Sequence, residues 1–241
     1  METIVEITHL KKSFGNNHVL KDINLKIEKG ENLVVFGKSG SGKSVLIKCM
    51  VGLLTPDDGK VTVLGKNILE LKNDELNVLR KKIGFLFQSA ALYDSMTVRE
   101  NLEFPLRDLK DKPQEEIDAL VIETLKSVGL ENAIDKMPSE LSGGMRKRIG
   151  LARTLILKPE VILYDEPTTG LDPITSKEIS KLILDVQKNY NAASIIITHD
   201  VECARITANR MMVIKDGACV AEGTFKELSA SEDEWVSSFF K

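Results

Sequence analysis

Gly37-Lys38-Ser39-Gly40-Ser41-Gly42-Lys43-Ser44 is the stretch on which the fold turns. An apolar run, Leu33-Val34-Val35-Phe36, precedes it, and a second apolar segment, Val45 to Leu54, follows it. The spacing fits the phosphate-binding loop G-x-x-x-x-G-K-S/T in the strand–loop–helix context that gives the pattern its meaning. Glycines let successive backbone N–H groups turn inward around phosphate oxygens, where side chains would obstruct. The helix that follows aims the positive end of its dipole at the same anion. Lys43 then reaches the β- and γ-phosphates of a nucleoside triphosphate, and the Ser44 hydroxyl is placed to ligate Mg²⁺. Nucleotide binding is the first expectation.

Composition sets the outer bounds. With 241 residues, 42% hydrophobic and 29% charged, the chain reads as one large globular domain or one domain with a sizeable insertion. A net charge of −3 without a basic tail gives no argument for nucleic acid. No apolar run approaches the ~18 residues of a membrane span. Met1 to Lys12 alternates apolar and polar residues and has no signal-peptide core. Cys49, Cys203 and Cys219 are scattered without metal-ligand spacing and read as reduced residues of a cytosolic chain.

Around the loop, strand and helix signals alternate. Ile4 to His9 and Val19 to Ile27 are β-like, and Val61 to Leu64 is a short strand after the turn Thr55-Pro56-Asp57-Asp58-Gly59. Asn73 or Asp74 is expected to cap a short helix to about Lys81. Ile83 to Phe87 reads as a buried strand ending at Gln88. From about Ser89 to Lys158 no strand of any length is visible. Instead Pro113 starts a helix with apolar positions Ile117, Leu120, Val121, Leu125 and Val128, and Ser142 caps a second one that stops before Pro159. Alternation then resumes with a strand at Val161 to Tyr164, a helix at Ile174 to Asn189 and a strand at Ser194 to Ile197. A short helix at Val201 to Ile206 precedes a hairpin around Asp216-Gly217. A last amphipathic segment carries Trp235, Val236, Phe239 and Phe240.

Two further stretches carry chemistry. Val161-Ile162-Leu163-Tyr164 ends in Asp165 and Glu166. Beside a phosphate-binding loop, Asp165 is placed to hold Mg²⁺ and Glu166 to polarise an attacking water. Leu141-Ser142-Gly143-Gly144-Met145 is a second Gly-rich helix opening, which reads either as an ordinary cap and turn or as another phosphate-binding N-terminus. One nucleotide rarely uses two such helix ends from one chain, so a second subunit is the natural source of the other.

These residues resemble the ATP-binding-cassette (ABC) ATPases, from Ile4 to about Phe225. Leu141-Ser142-Gly143-Gly144 resembles the signature motif, Gln88 the Q-loop, and Asp165-Glu166 the Walker B pair. Gly170-Leu171-Asp172 resembles the D-loop, and His199 after Ile195-Ile196-Ile197-Thr198 the switch histidine. Phe14 stands where the family stacks an aromatic on adenine. Two departures are visible, Met145 for the usual Gln and Phe14 for the usual Tyr, and both leave the phosphate-contacting and stacking groups intact.

A finer similarity, to the ATPase subunits of Mla/MCE-type phospholipid transporters, rests on Gln88 to Val98, Phe104-Pro105-Leu106-Arg107, Leu141 to Arg148 and Asp165 to Pro173. Met145 is typical there.

The resemblance implies an α/β P-loop NTPase fold, with a mostly parallel core sheet, an antiparallel β subdomain and an inserted helical subdomain. Residues 1–88 and 159–230 would form the core and antiparallel part, 89–158 the helical signature subdomain and 231–241 a tail. It implies ATP and Mg²⁺ as ligands. Catalytic roles fall to Glu166, His199, Lys43 and Gln88, and metal contacts to Ser44, Gln88 and Asp165. Nucleotide contacts fall to Phe14, Gly37, Lys38, Ser39, Gly40, Ser41, Gly42, Lys43, Ser44, Ser142, Gly143, Gly144 and Asp172. The implied partners are a second copy in a head-to-tail ATP sandwich, a permease docking near residues 88–107, and an MCE-type lipid-binding subunit. The chain would sit peripherally on the cytoplasmic face of the inner membrane, held by the permease.

The basic cluster Arg146-Lys147-Arg148 with Arg153 is expected to form a solvated helix face with some phosphate or subunit contacts. The tail reads as a cap on its own domain or as a contact to the neighbouring ATPase. A transporter of another small molecule, or an ABC ATPase without a membrane partner, is the alternative; a small-molecule kinase would leave Leu141 to Gly144 unexplained.

Overall fold

The computed structural model describes residues 2–107 and 113–240. Met1, Lys241 and the 108–112 part of the expected helical insertion lie outside the described residues.

The chain opens with two long strands, β1 (Thr3–Phe14) and β2 (Asn17–Glu28), followed by β3 (Asn32–Phe36) and helix α1 (Lys43–Met50). Next come β4 (Asp58–Val63), β5 (Lys66–Asn67), α2 (Asn73–Arg80) and β6 (Ile83–Leu86). Between β6 and the next strand lie α3 (Val98–Glu103), α4 (Gln114–Ser127) and α5 (Gly143–Leu155). Strand β7 (Val161–Asp165), α6 (Pro173–Tyr190), β8 (Ala193–Thr198) and α7 (Val201–Thr207) follow. The chain ends with β9 (Arg210–Lys215), β10 (Ala218–Gly223), α8 (Phe225–Ser229) and α9 (Glu234–Ser237).

Six strands form the core sheet in the order β10-β9-β3-β8-β7-β6, and four form a second sheet in the order β2-β1-β4-β5. In the core sheet β9, β3, β8, β7 and β6 run parallel, and only β10 pairs antiparallel. The second sheet is antiparallel throughout. Strand β3 is buried on both faces, as a parallel strand between helices must be. Its period of two sends Leu33 and Val35 to a core shared with β1, β2, β4 and α1, and Val34 and Phe36 to a core shared with α5, α6 and α7. Phosphate loop and Walker pair therefore leave parallel strands β3 and β7, with β8 between them, at the same, C-terminal, sheet edge.

Several boundaries differ from expectation. Helix α1 starts at Lys43 and ends at Met50, because the N–H groups of Leu53 and Leu54 both close onto the Lys48 carbonyl. Lys72, not Asn73 or Asp74, precedes α2, since Glu75 Oε2 accepts from the Lys72 N–H at 3.0 Å and draws Asn73 into the first turn. Helix α3 was not expected, although Thr97 and Glu100 form a reciprocal capping box, with Thr97 Oγ1 accepting from Glu100 N at 3.2 Å and Glu100 Oε2 accepting from Thr97 N at 2.7 Å.

The tail folds back on its own core. Phe239 and Phe240 lie 5.4 and 5.7 Å from the Phe36 ring, at the end of the strand that feeds the phosphate loop. Trp235 meets Phe239 edge-on at 4.7 Å, and Lys215 Nζ sits 4.4 Å from the Trp235 ring centre. Phe240→Ala is expected to cost roughly 2 kcal/mol, below the ~3–5 kcal/mol of a fully buried Phe because its side chain is only part-buried. For a chain of this size that lowers the melting temperature by about 4–8 °C. An unshifted melt would assign the tail no part in the stability of this domain.

Candidate nucleotide site

The loop before α1 is shaped by close approach. Gly42 has φ +102°, and a Cβ there would lie 2.8 Å from the Val19 carbonyl oxygen, so no other residue fits. Lys43 is buried, and its ammonium donates to the carbonyls of Gly37 at 2.7 Å and Lys38 at 3.0 Å. The loop thus holds the lysine in place, poised over the space where a phosphate chain would lie. Burial pushes the Lys43 pKa down, against the opposing pull of Glu166 and Asp165.

Opposite the loop stands the acidic end of β7. Asp165 Oδ1 accepts from Ser44 Oγ at 3.2 Å. Burial is the main cause that raises the Asp165 pKa, with the like charge of Glu166 adding to it. Glu166 follows with φ +50°, a left-handed conformation that costs a non-glycine residue roughly 1–2 kcal/mol. Its carboxylate Oε2 lies 2.8 Å from His199 Nδ1 and accepts from Thr169 Oγ1 at 3.2 Å. His199 leaves the end of β8, the strand that pairs with both β3 and β7.

One cleft of about 280 Å³ gathers these groups: Ser39, Gly40, Gly42, Lys43, Ser44, Gln88, Glu166 and His199 line it, with Val19 and Val45. A larger cleft of about 540 Å³, lined by Lys29, Glu123, Tyr190 and their neighbours, gathers none of the expected site residues and has no comparable chemistry. Phe14, Gly37, Lys38, Ser41, Asp165, Ser142, Gly143, Gly144 and Asp172 are not among the lining residues of the smaller cleft. Asp165 adjoins it through Ser44. Phe14 is 48% exposed, and Lys12 Nζ lies over its ring at 5.4 Å.

The signature opens α5 as a capped N-terminus. Ser142 is exposed, and its Oγ accepts from the Met145 N–H at 3.2 Å. Asp172 caps α6, its Oδ1 accepting from the N–H groups of Ile174 and Thr175, both at 3.0 Å. That cap orients the loop after the Walker pair.

The basic cluster on α5 is only partly solvated: Arg146 is exposed, Arg148 and Arg153 are part-buried, and Lys147 is buried. Arg146 donates to the Leu141 carbonyl, Arg148 to the Val128 carbonyl and to Glu178, and Arg153 to the carbonyls of Ala90 and Ala91. Lys147 is 5% exposed and donates to the carbonyls of Gln88 at 2.5 Å and Glu166 at 3.2 Å. Burial brings its pKa down to about 8, with Asp165 and Glu166 opposing. Sequence reasoning missed Lys147 and Thr169 as parts of this site. A signal for Lys147 was present: it lies three residues after buried Gly144 and four before buried Leu151, on the inward phase of the helix.

The family described as ABC transporter matches residues 20–169. A probable ribonucleotide transport ATP-binding protein of Mycobacterium leprae is 41% identical over 239 residues, covering 99% of this chain and 69% of the relative. The intermembrane phospholipid transport ATP-binding protein MlaF of Haemophilus influenzae is 38% identical, covering 100% of this chain and 91% of the relative. Among solved structures, an ATP-binding cassette captured as a dimer in a post-hydrolysis state with ADP and Pi superposes with a TM-score of 0.84 at 33% identity, covering 93% of this chain and 100% of that one.

Proposed function

The chain belongs to the ABC transporter family, as an ATP-binding and ATP-hydrolysing cassette, and from that premise we propose that it energises a membrane permease that moves phospholipid. The observation that carries the catalytic part is the division of the motifs. Lys43, Ser44, Gln88, Glu166 and His199 share one cleft, while Ser142 stands exposed at the start of another helix. Two copies arranged head to tail would bring each Ser142 and Gly144 to the other chain's phosphate loop, and each D-loop, with Asp172, to the seam. ATP then binds the closed dimer preferentially and draws the equilibrium towards it.

Mg²⁺ fits the donor set, since Ser44 Oγ and Asp165 Oδ1 are hard oxygen ligands within 3.2 Å of each other. Those two groups, with Gln88, which lines the same cleft, would hold it, and bound there it would supply positive charge to offset that of the phosphates. Glu166 takes a proton from water as its oxygen forms a bond to the γ-phosphorus and the bond to the β-bridging oxygen breaks. Lys43 steadies the charge spread over the phosphoryl oxygens. His199, bonded to Glu166 in this state, is placed to turn to the γ-phosphate and report its presence. Loss of that phosphate removes what bridges the two chains and lets the dimer reopen.

The membrane part rests on the match to the Haemophilus relative along this chain's whole length and on the resemblance at Gln88 to Arg107. The apolar and aromatic residues there include Tyr93, 43% exposed, packed on Phe104 at 4.6 Å. A coupling helix of a permease would find such anchors in a groove beside Gln88. Peripheral attachment accords with the fact that no helix among the described residues is long and apolar enough to cross a membrane. Purification of the tagged chain from a detergent extract is expected to bring down a polytopic membrane protein, and lipid analysis of that complex to find bound phospholipid. Recovery of the chain without a membrane protein would overturn the permease, and a complex free of phospholipid would overturn the cargo.

A further inference from the structure

Lys147 is a lysine where a packing position would take an apolar residue. It is 5% exposed, on the inward phase of α5, and both its hydrogen bonds go to main-chain carbonyls. Burying an ammonium costs several kcal/mol unless its donors are well used. The carbonyls it reaches belong to Gln88 and Glu166, residues far apart in sequence that follow the neighbouring strands β6 and β7 and both line the nucleotide cleft.

Both peptides need a hold. Glu166 is left-handed at φ +50°, and it is fixed by its N–H donating to Ile197 O at 2.9 Å and by its carbonyl accepting from Lys147. After Gln88 come two consecutive left-handed alanines, Ala90 at φ +62° and Ala91 at φ +49°. Their carbonyls accept from Arg153 at 3.2 and 2.8 Å, again from α5. Gly150 lets the loop lie against that helix, since a Cβ there would stand 2.8 Å from the Ala90 Cβ. Lys147, Gly150 and Arg153 thus clip the Q-loop to α5, and Lys147 also crosses to the Walker glutamate.

We propose that Lys147 is a positioning residue for hydrolysis: through the main chain of Gln88 and Glu166 it fixes their side chains relative to each other and to the helix that carries the signature. Lys147 lies five positions after Ser142, about 7.5 Å along one rigid helix. A shift of the signature on the partner's nucleotide therefore moves the same rod that grips this chain's own catalytic pair. The inference rests on the ATP-hydrolysis reading of the cleft.

The test compares Lys147→Met, which keeps length and loses every donor, with Lys147→Arg, which keeps donors, in the full chain. Glu166→Gln serves as the reference for a dead site. The Met variant is expected to lose about 10- to 100-fold in kcat, the scale of a small misplacement of reacting groups. Its KM for ATP should stay within about twofold, because the phosphate loop is untouched, and Lys147→Arg should recover much of the rate. A Met variant with kcat within about twofold of the parent would overturn the proposal, as would kcat, KM and melting temperature failing together. Should Lys147→Met not fold, Lys147→Gln is judged by the same criteria; failure of all three to fold would make Lys147 a folding residue and overturn the proposal. A parent chain that turns over no ATP would sink the hydrolysis reading itself and full turnover in Glu166→Gln would sink only the choice of base, whereas an active Lys147→Met beside an active parent and an inert Glu166→Gln sinks only this inference.

Discussion

Glu166→Gln is expected to bind ATP with affinity within about twofold of the parent while turnover falls by roughly 10²- to 10⁴-fold, the usual contribution of a positioned general base. In free energy that is about 3–5 kcal/mol withheld from the transition state alone. The substitution changes little else. Glutamine has the same shape, its carbonyl oxygen still accepts from Thr169 Oγ1, and the main-chain bonds to Ile197 and Lys147 do not involve the side chain. Asp165, the neighbouring carboxylate, is already engaged by Ser44 at the proposed metal position, so it offers no substitute base. On the proposed cycle, in which ATP closes a dimer and hydrolysis reopens it, the variant should accumulate as a stable ATP-bound dimer on size exclusion. Unaltered turnover, or a variant that remains monomeric in ATP, would remove Glu166 from the role of base.

Much of this site was legible because its motifs are local. A phosphate loop is a contiguous stretch whose glycines and lysine act through their own backbone, so its spacing alone places Lys43 and Ser44. The Walker carboxylates and His199 are also local signals, each at the end of an apolar run that must be a buried parallel strand. What brings them together is the strand order, with β3 beside β8 and β8 beside β7. Lys147 was misplaced for the opposite reason. Its residue type argues for solvent, and its partners are carbonyls 59 and 19 residues away that no local pattern announces. The helical phase was the better guide, and residue type was given too much weight. The α2 boundary failed on a smaller scale: Asn73 is a favoured cap, but the reach of Glu75 to Lys72 satisfied the helix end one residue earlier. Helix α3 shows the converse, since the Thr97–Glu100 box was legible and its helix was short enough to pass for loop.

The proposed division of the site between two chains makes the second large prediction, because it separates a complete site from a shared one. Lys43→Ala removes the ammonium that meets the phosphates, and Ser142→Arg places a bulky cation at the exposed signature. Each variant alone is expected to form only dead sites, since every site in either homodimer contains the altered residue. In a mixed dimer, one site combines both defects. The other takes Lys43, Glu166 and Gln88 from the Ser142→Arg chain and Ser142 from the Lys43→Ala chain, and is intact. Random pairing makes about half the dimers mixed, each with one good site of two, so mixing the two inactive preparations should restore up to about a quarter of the parental turnover. A site built within a single chain would give nothing on mixing, because neither chain holds a complete set. Turnover that rises with the product of the two concentrations at low protein, and that disappears when Glu166→Gln is added to the Ser142→Arg chain but not to the Lys43→Ala chain, would assign the base to the chain that supplies Lys43. Loss in the reverse arrangement, or a mixture as inactive as its parents, would refute the shared site.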